Sequence, residues 1–266
     1  MLKREIVRLE VTESTNSYAL DLAKRGATPG TVVIADSQTD GRGRLKRSWL
    51  SPPGMGLYFS LILQPDLAAQ DLPKITLAAG LAICKAVAVE CAVFPQIKWP
   101  NDILMAGRKL GGILTETGTS QSPDFDQKTL VVVGVGLNLY EPEDGFPAAL
   151  KERATSLVRY TDKKIVPEKL LEQCISELEN VVKRLEKGDF PTILGEWKQR
   201  DAIKEKELSW VSPQGKKVTG RSLGPDADGI LHIRDKKTGL IHEVISGDVE
   251  LAGSEGLRQE VQGVRS

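Results

Sequence analysis

The chain has 266 residues, 40% hydrophobic and 27% charged, which allows one large core and a small satellite domain. Lysine plus arginine equals aspartate plus glutamate at 36 each, so the molecule is no polyelectrolyte, which argues against a general nucleic-acid binder. The charged start Met1-Leu2-Lys3-Arg4-Glu5 lacks an apolar signal core and no apolar run could span a bilayer, so a cytoplasmic protein without membrane contact is expected.

In chain order, the first predicted element is a short helix over 17–25, preceded by Glu13-Ser14-Thr15-Asn16 and closed by Gly26. Its small polar residues read as a helix cap. A cap uses one side chain, which leaves two for a ligand. A strand over 31–35 then leads through Gln38 into Gly41-Arg42-Gly43-Arg44-Leu45-Lys46-Arg47-Ser48-Trp49, four cations and two glycines in nine residues. Glycine lets backbone N–H groups approach an anion, and guanidinium offers a planar fork for phosphate or carboxylate. A solvated basic turn is the plain alternative, but it has little need of Trp49 or of the apolar strand at 56–63.

Asp71-Leu72-Pro73 opens an apolar helix over 75–93, expected to be buried on most sides. A hairpin follows, its arms 96–105 and 109–116 joined by Ala106-Gly107, with a bend at Pro100. After a polar loop at 118–128, a strand over 130–139 carries Gly134 and Gly136, which let another backbone or a flat ligand come close. The stretch 141–162 has few apolar anchors and reads as a lid or mobile loop. An amphipathic helix runs from Pro167 to Gly188, and a second spans 190–203 with Trp197. From 208 the texture becomes short strands at 208–211, 218–223, 231–233, 240–245 and 249–251, with turns such as Pro213-Gln214-Gly215. That is a small β-barrel of about five strands with a frayed tail.

Cys84, Cys91 and Cys174 lack metal-ligand spacing and read as buried reduced thiols. The two histidines, His232 and His242, both fall in the β region, and no Ser/His/Asp pattern is present. Positioned cations are left as the main chemical tool.

Four motifs in order carry a resemblance: Gly41-Arg42-Gly43-Arg44 with Arg47-Ser48-Trp49; Lys98-Trp99-Pro100-Asn101-Asp102; Lys109-Leu110-Gly111-Gly112-Ile113-Leu114 with Glu116; and Gly134-Val135-Gly136-Leu137-Asn138. Together they resemble the biotin protein ligase family. The resemblance implies an α+β fold, a central mixed β-sheet flanked by helices like that of class II aminoacyl-tRNA synthetases. It assigns 1–204 to the catalytic domain and 205–266 to a Src-homology-3-like β-barrel. It implies biotin and ATP as substrates, with Mg²⁺, giving biotinyl-5′-AMP and then a biotinylated lysine on the biotin carboxyl carrier protein or domain of acetyl-CoA carboxylase. A homodimer is implied by the same analogy.

Carried over by motif, Ser14, Thr15, Asn16 and Gln38 are expected at the ureido ring. Arg42, Gly43 and Arg44 are expected to close over biotin and the adenylate phosphate. Lys109 is the principal catalytic expectation, bridging carboxylate and α-phosphate with Arg44 and Arg47. Trp49, Lys98, Asn101, Asp102 and Asn138 are expected at the nucleotide, Asp102 also as a possible metal contact. The family often has Arg-Gly where this chain has Leu45 and Lys46, a change that restricts φ and bears on how tightly the loop seals. Ser14 lies almost at the start, leaving no room for a helix-turn-helix, so no operator binding is expected. The alternatives are a lipoate protein ligase with the same adenylation chemistry and a non-enzymatic anion- or nucleic-acid-binding module. Neutral net charge and the further polar motifs disfavour the second.

Overall fold

The computed structural model describes residues 5–119, 129–211, 215–244 and 247–252. The expected features at 120–128, at Pro213-Gln214, at Ile245 and in the tail from 253 lie outside the described residues. Seven strands form the larger sheet: β1 (Ile6–Thr12), β2 (Val32–Gln38), β3 (Gly56–Leu63), β4 (Gln96–Lys98), β5 (Asp102–Met105), β6 (Arg108–Thr119) and β7 (Thr129–Asn138). Their order is β1-β2-β3-β7-β6-β5-β4. β1 and β2 are parallel and the other pairs antiparallel, so the sheet is mixed, as expected.

Alternation along the central strands decides which helix covers which face. Val33, Ile62, Leu130 and Val132 point to one side and bury Ala19 and Ala23 of α1 (Thr15–Lys24). Val32, Leu61, Val131 and Val133 point to the other, against α2 (Lys74–Cys91). Because α2 is apolar on nearly every side, it needs cover from both directions. The second layer comes from α4 (Pro167–Glu186), whose Leu171, Cys174, Ile175, Leu178, Val181, Val182 and Leu185 form one buried stripe. The three cysteines are buried and free, and burial pushes the Cys84 thiol up to about 12.

Four expectations need correction. β1 was not anticipated, although Ile6, Val7, Leu9 and Val11 do alternate around Arg8 and Glu10. The connection 141–162 is not a free lid. It contains α3 (Ala148–Lys151), buries Thr155, Ser156 and Leu157, and is pinned to β6 where Lys109 N–H donates to Arg153 O at 2.7 Å and Thr155 N–H to Lys109 O at 2.9 Å. The helix expected over 190–203 stops early, as α5 (Phe190–Lys198), because residues beyond it line the edge of β4. There Ile97 N–H donates to Arg200 O at 2.8 Å and Ala202 N–H to Ile97 O at 2.9 Å. Lastly, Ser14 supplies no side-chain cap to α1.

The smaller sheet holds β8 (Glu207–Val211), β9 (Lys217–Pro225), β10 (Leu231–Asp235), β11 (Ile241–Val244) and β12 (Val249–Leu251), in the order β11-β10-β9-β8-β12, all antiparallel. Its Leu208, Trp210, Leu231 and Ile233 belong to the same apolar cluster as Leu77 and Phe190. Trp99 Nε1–H donates to Gly229 O at 3.0 Å, so a hydrogen bond also joins the two parts. No described helix is long and apolar enough to cross a membrane.

Candidate active site

The two glycines of β7 and the first turn of α1 set the floor of a cleft. Ser14, Thr15 and Asn16 are all buried, and the side chains of Thr15 and Asn16 are engaged across the sheet rather than along the helix. Asn16 Nδ2–H donates to Leu114 O at 3.1 Å and to Glu116 Oε2 at 2.9 Å, while Ser60 Oγ–H donates to Asn16 Oδ1 at 2.6 Å. Thr15 N–H donates to Gln38 Oε1 at 2.9 Å, and Gln38 Nε2–H to Ser51 Oγ at 2.7 Å. A Cβ at Gly134 would overlap Asn16 Oδ1 and stand 2.7 Å from its Cγ, so that amide lies flat on glycine. The result is a set of donors and acceptors with fixed orientations, uncharged apart from Glu116 behind Asn16, buried at Ser14, Thr15 and Asn16 and half-buried at Gln38, and suited to a small planar polar group.

Above the floor lies the basic loop. It is tied to itself by Gly43 N–H donating to Arg47 O at 2.7 Å and Trp49 N–H to Gly41 O at 2.7 Å. Within it Leu45 and Lys46 both adopt positive φ, 56° and 59°. This is the position where the sequence lacks the glycine that would take such a φ without steric cost. The Trp49 ring lies against Gly136, whose added Cβ would meet Trp49 Nε1 at 2.5 Å, and against Gly112, whose Cβ would meet Cζ3 at 3.5 Å. The flat partner expected at the paired glycines is therefore a side chain of the chain itself.

Cations line the rest of the cleft, whose cavity volume is about 100 Å³. Lys109 Nζ stands 2.6 Å from Asp102 Oδ1 and 5.3 Å from the Trp49 ring centroid. Lys98 Nζ reaches the other oxygen of Asp102 at 3.8 Å from behind. Arg44 Nη1–H donates to Asn101 Oδ1 at 3.3 Å, and Asn101 is itself held by donating to Ile113 O at 2.8 Å. Burial pulls the Arg44 guanidinium below its ordinary value, with Asp248 and then Asp102 working the other way. Arg42 pairs with Glu116 and donates to Ser17 Oγ at 3.0 Å. Arg47 pairs with Asp248, the residue just before β12 of the smaller sheet.

The structure thus brings Ser14, Thr15, Asn16, Gln38, Arg42, Gly43, Arg44, Arg47, Trp49, Asn101, Asp102 and Lys109 to one cleft. Two expected residues lie outside its lining: Lys98, behind Asp102, and Asn138, whose Nδ2–H donates to Thr155 O at 3.0 Å and Lys109 O at 3.5 Å. Asn138 therefore bonds the backbone around Lys109 rather than facing the cavity. Sequence reasoning assigned no role to Ser60, Glu116 or Asp248. Ser60 had one signal, a lone hydroxyl inside an apolar strand; Asp248 meets a loop 201 residues away and had none.

Residues 9–138 match the family model described as the Biotin/lipoate A/B protein ligase family. The Bifunctional ligase/repressor BirA of Bacillus spizizenii is 33% identical over 251 residues, 94% of this chain and 75% of that protein. The Biotin–[acetyl-CoA-carboxylase] ligase of Paracoccus denitrificans is 34% identical over 196 residues, 72% of this chain and 78% of that protein. Among solved structures, the biotin protein ligase of Aquifex aeolicus in complex with biotin and ATP superposes with a TM-score of 0.79 at 28% identity, covering 94% of this chain and 100% of that one.

Proposed function

Since the chain belongs to the biotin protein ligase family, we propose that the cleft over β6 and β7 carries out the two steps of that ligation. The chain is a biotin protein ligase: it uses ATP and biotin, and its acceptor is a biotin-accepting carboxylase carrier. We take that acceptor to be the lysine of a biotin carboxyl carrier protein or domain of acetyl-CoA carboxylase. Residues 1–204 would form the catalytic domain and 205–266 the small barrel domain.

The single observation that carries the site assignment is the juxtaposition of an uncharged buried floor with a fixed ammonium. The floor of Ser14, Thr15, Asn16 and Gln38 suits the ureido ring, whose two N–H groups and one carbonyl need acceptors and a donor in fixed places. Lys109 sits at the other end, oriented by Asp102 at 2.6 Å. In the first step the biotin carboxylate oxygen bonds the α-phosphorus as its bond to the β-phosphate oxygen breaks and pyrophosphate leaves; this sets two anions against each other, so the barrier falls when a positioned cation neutralises both in the approach geometry. Lys109 takes that role. Arg44 and Arg47 would hold phosphate oxygens, and the Trp49 ring would shield the mixed anhydride from water. In the second step the acceptor lysine attacks the activated carbonyl and AMP leaves.

Among the described residues no cluster of three or more His, Cys, Asp or Glu could hold a resident metal. Mg²⁺ commonly takes one or two carboxylates together with substrate phosphates. Asp102 and Asp248 are the carboxylates lining the cleft, so the donor set fits an ion that arrives on the triphosphate. It would supply charge neutralisation there. We also expect a cytoplasmic protein and, with β1 open at the sheet edge, a homodimer.

ATP–pyrophosphate exchange tests the assignment. Exchange should require biotin and ignore lipoate; exchange driven by lipoate alone would move the chain to the other branch of the family.

A further inference from the structure

Glu116 does two things at once. Its Oε2 accepts from Asn16 Nδ2 at 2.9 Å on the floor, and its Oε1 pairs with Arg42 at the start of the basic loop. Asn16 cannot turn away: Ser60 fixes its oxygen, Leu114 O takes its other N–H, and Gly134 lies flush beneath it. The carboxylate is therefore oriented from below, and one oxygen remains to receive the loop. Arg42 completes the clasp by donating to Ser17 on α1 at 3.0 Å.

We propose that Glu116 is a positioning residue that anchors the basic loop over the bound intermediate by holding Arg42 from the rigid floor. This rests on the cleft being the biotin and adenylate site. A carboxylate presents an accepting oxygen to each partner, whereas glutamine in the same place replaces one of those oxygens with an NH2 group and so turns a donor toward either Asn16 or Arg42. Arg42 therefore acts here on the protein itself, as the loop's fastening, in addition to any contact with ligand. Loss of the clasp shortens the time the loop stays shut, so the intermediate escapes before transfer.

The test compares the parent with Glu116→Gln, Arg42→Met and the double variant, each loaded with biotin and MgATP without carrier. Escape of biotinyl-adenylate is followed by gel filtration, and tryptic cleavage within the loop is followed in parallel. Glu116→Gln should release adenylate about tenfold faster than the parent, and its loop should be cut by trypsin faster than the parent's under the same biotin and MgATP load. Arg42→Met should also release it faster, and the double variant should add little to the worse single one, because both remove one interaction. Glu116→Gln retaining adenylate and resisting loop cleavage like the parent would overturn the inference, as would losses that multiply in the double variant. Melting temperatures within a few degrees of the parent keep misfolding out of the comparison. A parent that forms no biotinyl-adenylate would overturn the cleft reading itself, and this inference with it.

Discussion

Asp102 holds Lys109 through a 2.6 Å contact between Oδ1 and Nζ that runs diagonally across the β5–β6 hairpin, where Asp102 is registered with Gly112 and Lys109 with Leu104. The ammonium is thus placed by a rigid strand pair before any substrate arrives. Removing one positioned charge-stabilising group from an active site costs about 10²–10³ in rate. Lys109→Ala should lower biotin-dependent pyrophosphate exchange by about that factor. Exchange at near-parental rate would refute the role given to Lys109.

Gly134→Ala should be tolerated by the fold and damaging to the floor. The added methyl would stand 2.7 Å from Asn16 Cγ, and Asn16 is too buried and too fully bonded to move aside freely. Overpacking of this kind costs about 1–3 kcal/mol. Calorimetric titration should show biotin affinity reduced by about tenfold or more, together with a modest fall in melting temperature.

Lys46→Gly should have the opposite effect on the loop. Lys46 sits at φ 59° beside Leu45 at φ 56°, two consecutive non-glycine residues in the left-handed region. Each costs about 1–2 kcal/mol there, part of which glycine gives back through a freer open loop. A net gain of about 0.5–1 kcal/mol corresponds to adenylate escaping about two- to fivefold more slowly, measured by the same gel-filtration release. Lys46→Asn should shift the rate in the same direction, since asparagine also tolerates this conformation.

Acid sensitivity should trace in part to Glu196. Burial alone would raise its carboxyl, but hydrogen bonds from Lys85 and Arg184 outweigh it and hold the group below its ordinary value of 4.5. A carboxyl depressed on folding contributes stability above its unfolded value, and that contribution is lost as pH falls through the folded one. Glu196→Gln should therefore melt lower than the parent at neutral pH, by about 2–4 °C for about 1 kcal/mol. The gap should close as pH drops below about 4; an unchanged gap would exclude Glu196 as a contributor.

The basic loop, the hairpin and the paired glycines were legible because their chemistry is written in residue types at short range. Leu45 and Lys46 were legible as a departure, and their positive φ gives it a physical meaning. What escaped was non-local. Ser14, Thr15 and Asn16 read as a cap because that pattern is local, whereas Gln38, Ser60, Leu114 and Glu116, the partners of Thr15 and Asn16, lie on distant strands. Asn138 keeps its motif yet bonds Thr155 O, in a stretch with few apolar anchors whose neighbour Ala154 pairs with Lys109. β1 was hidden by charges on an edge strand that needs only one covered face.

The apolar cluster that runs from Leu77 and Phe190 into Trp210 and Leu231 has no seam where the chain passes from one sheet to the next. A calorimeter should accordingly register one endotherm for the whole molecule. The tether from Gly229 to Trp99 sits one residue from the peptide leading to Asn101 and Asp102. Damage to the smaller sheet would then reach the chemistry through the frame itself, and a lesion remote from every substrate could silence turnover while leaving each reacting group intact.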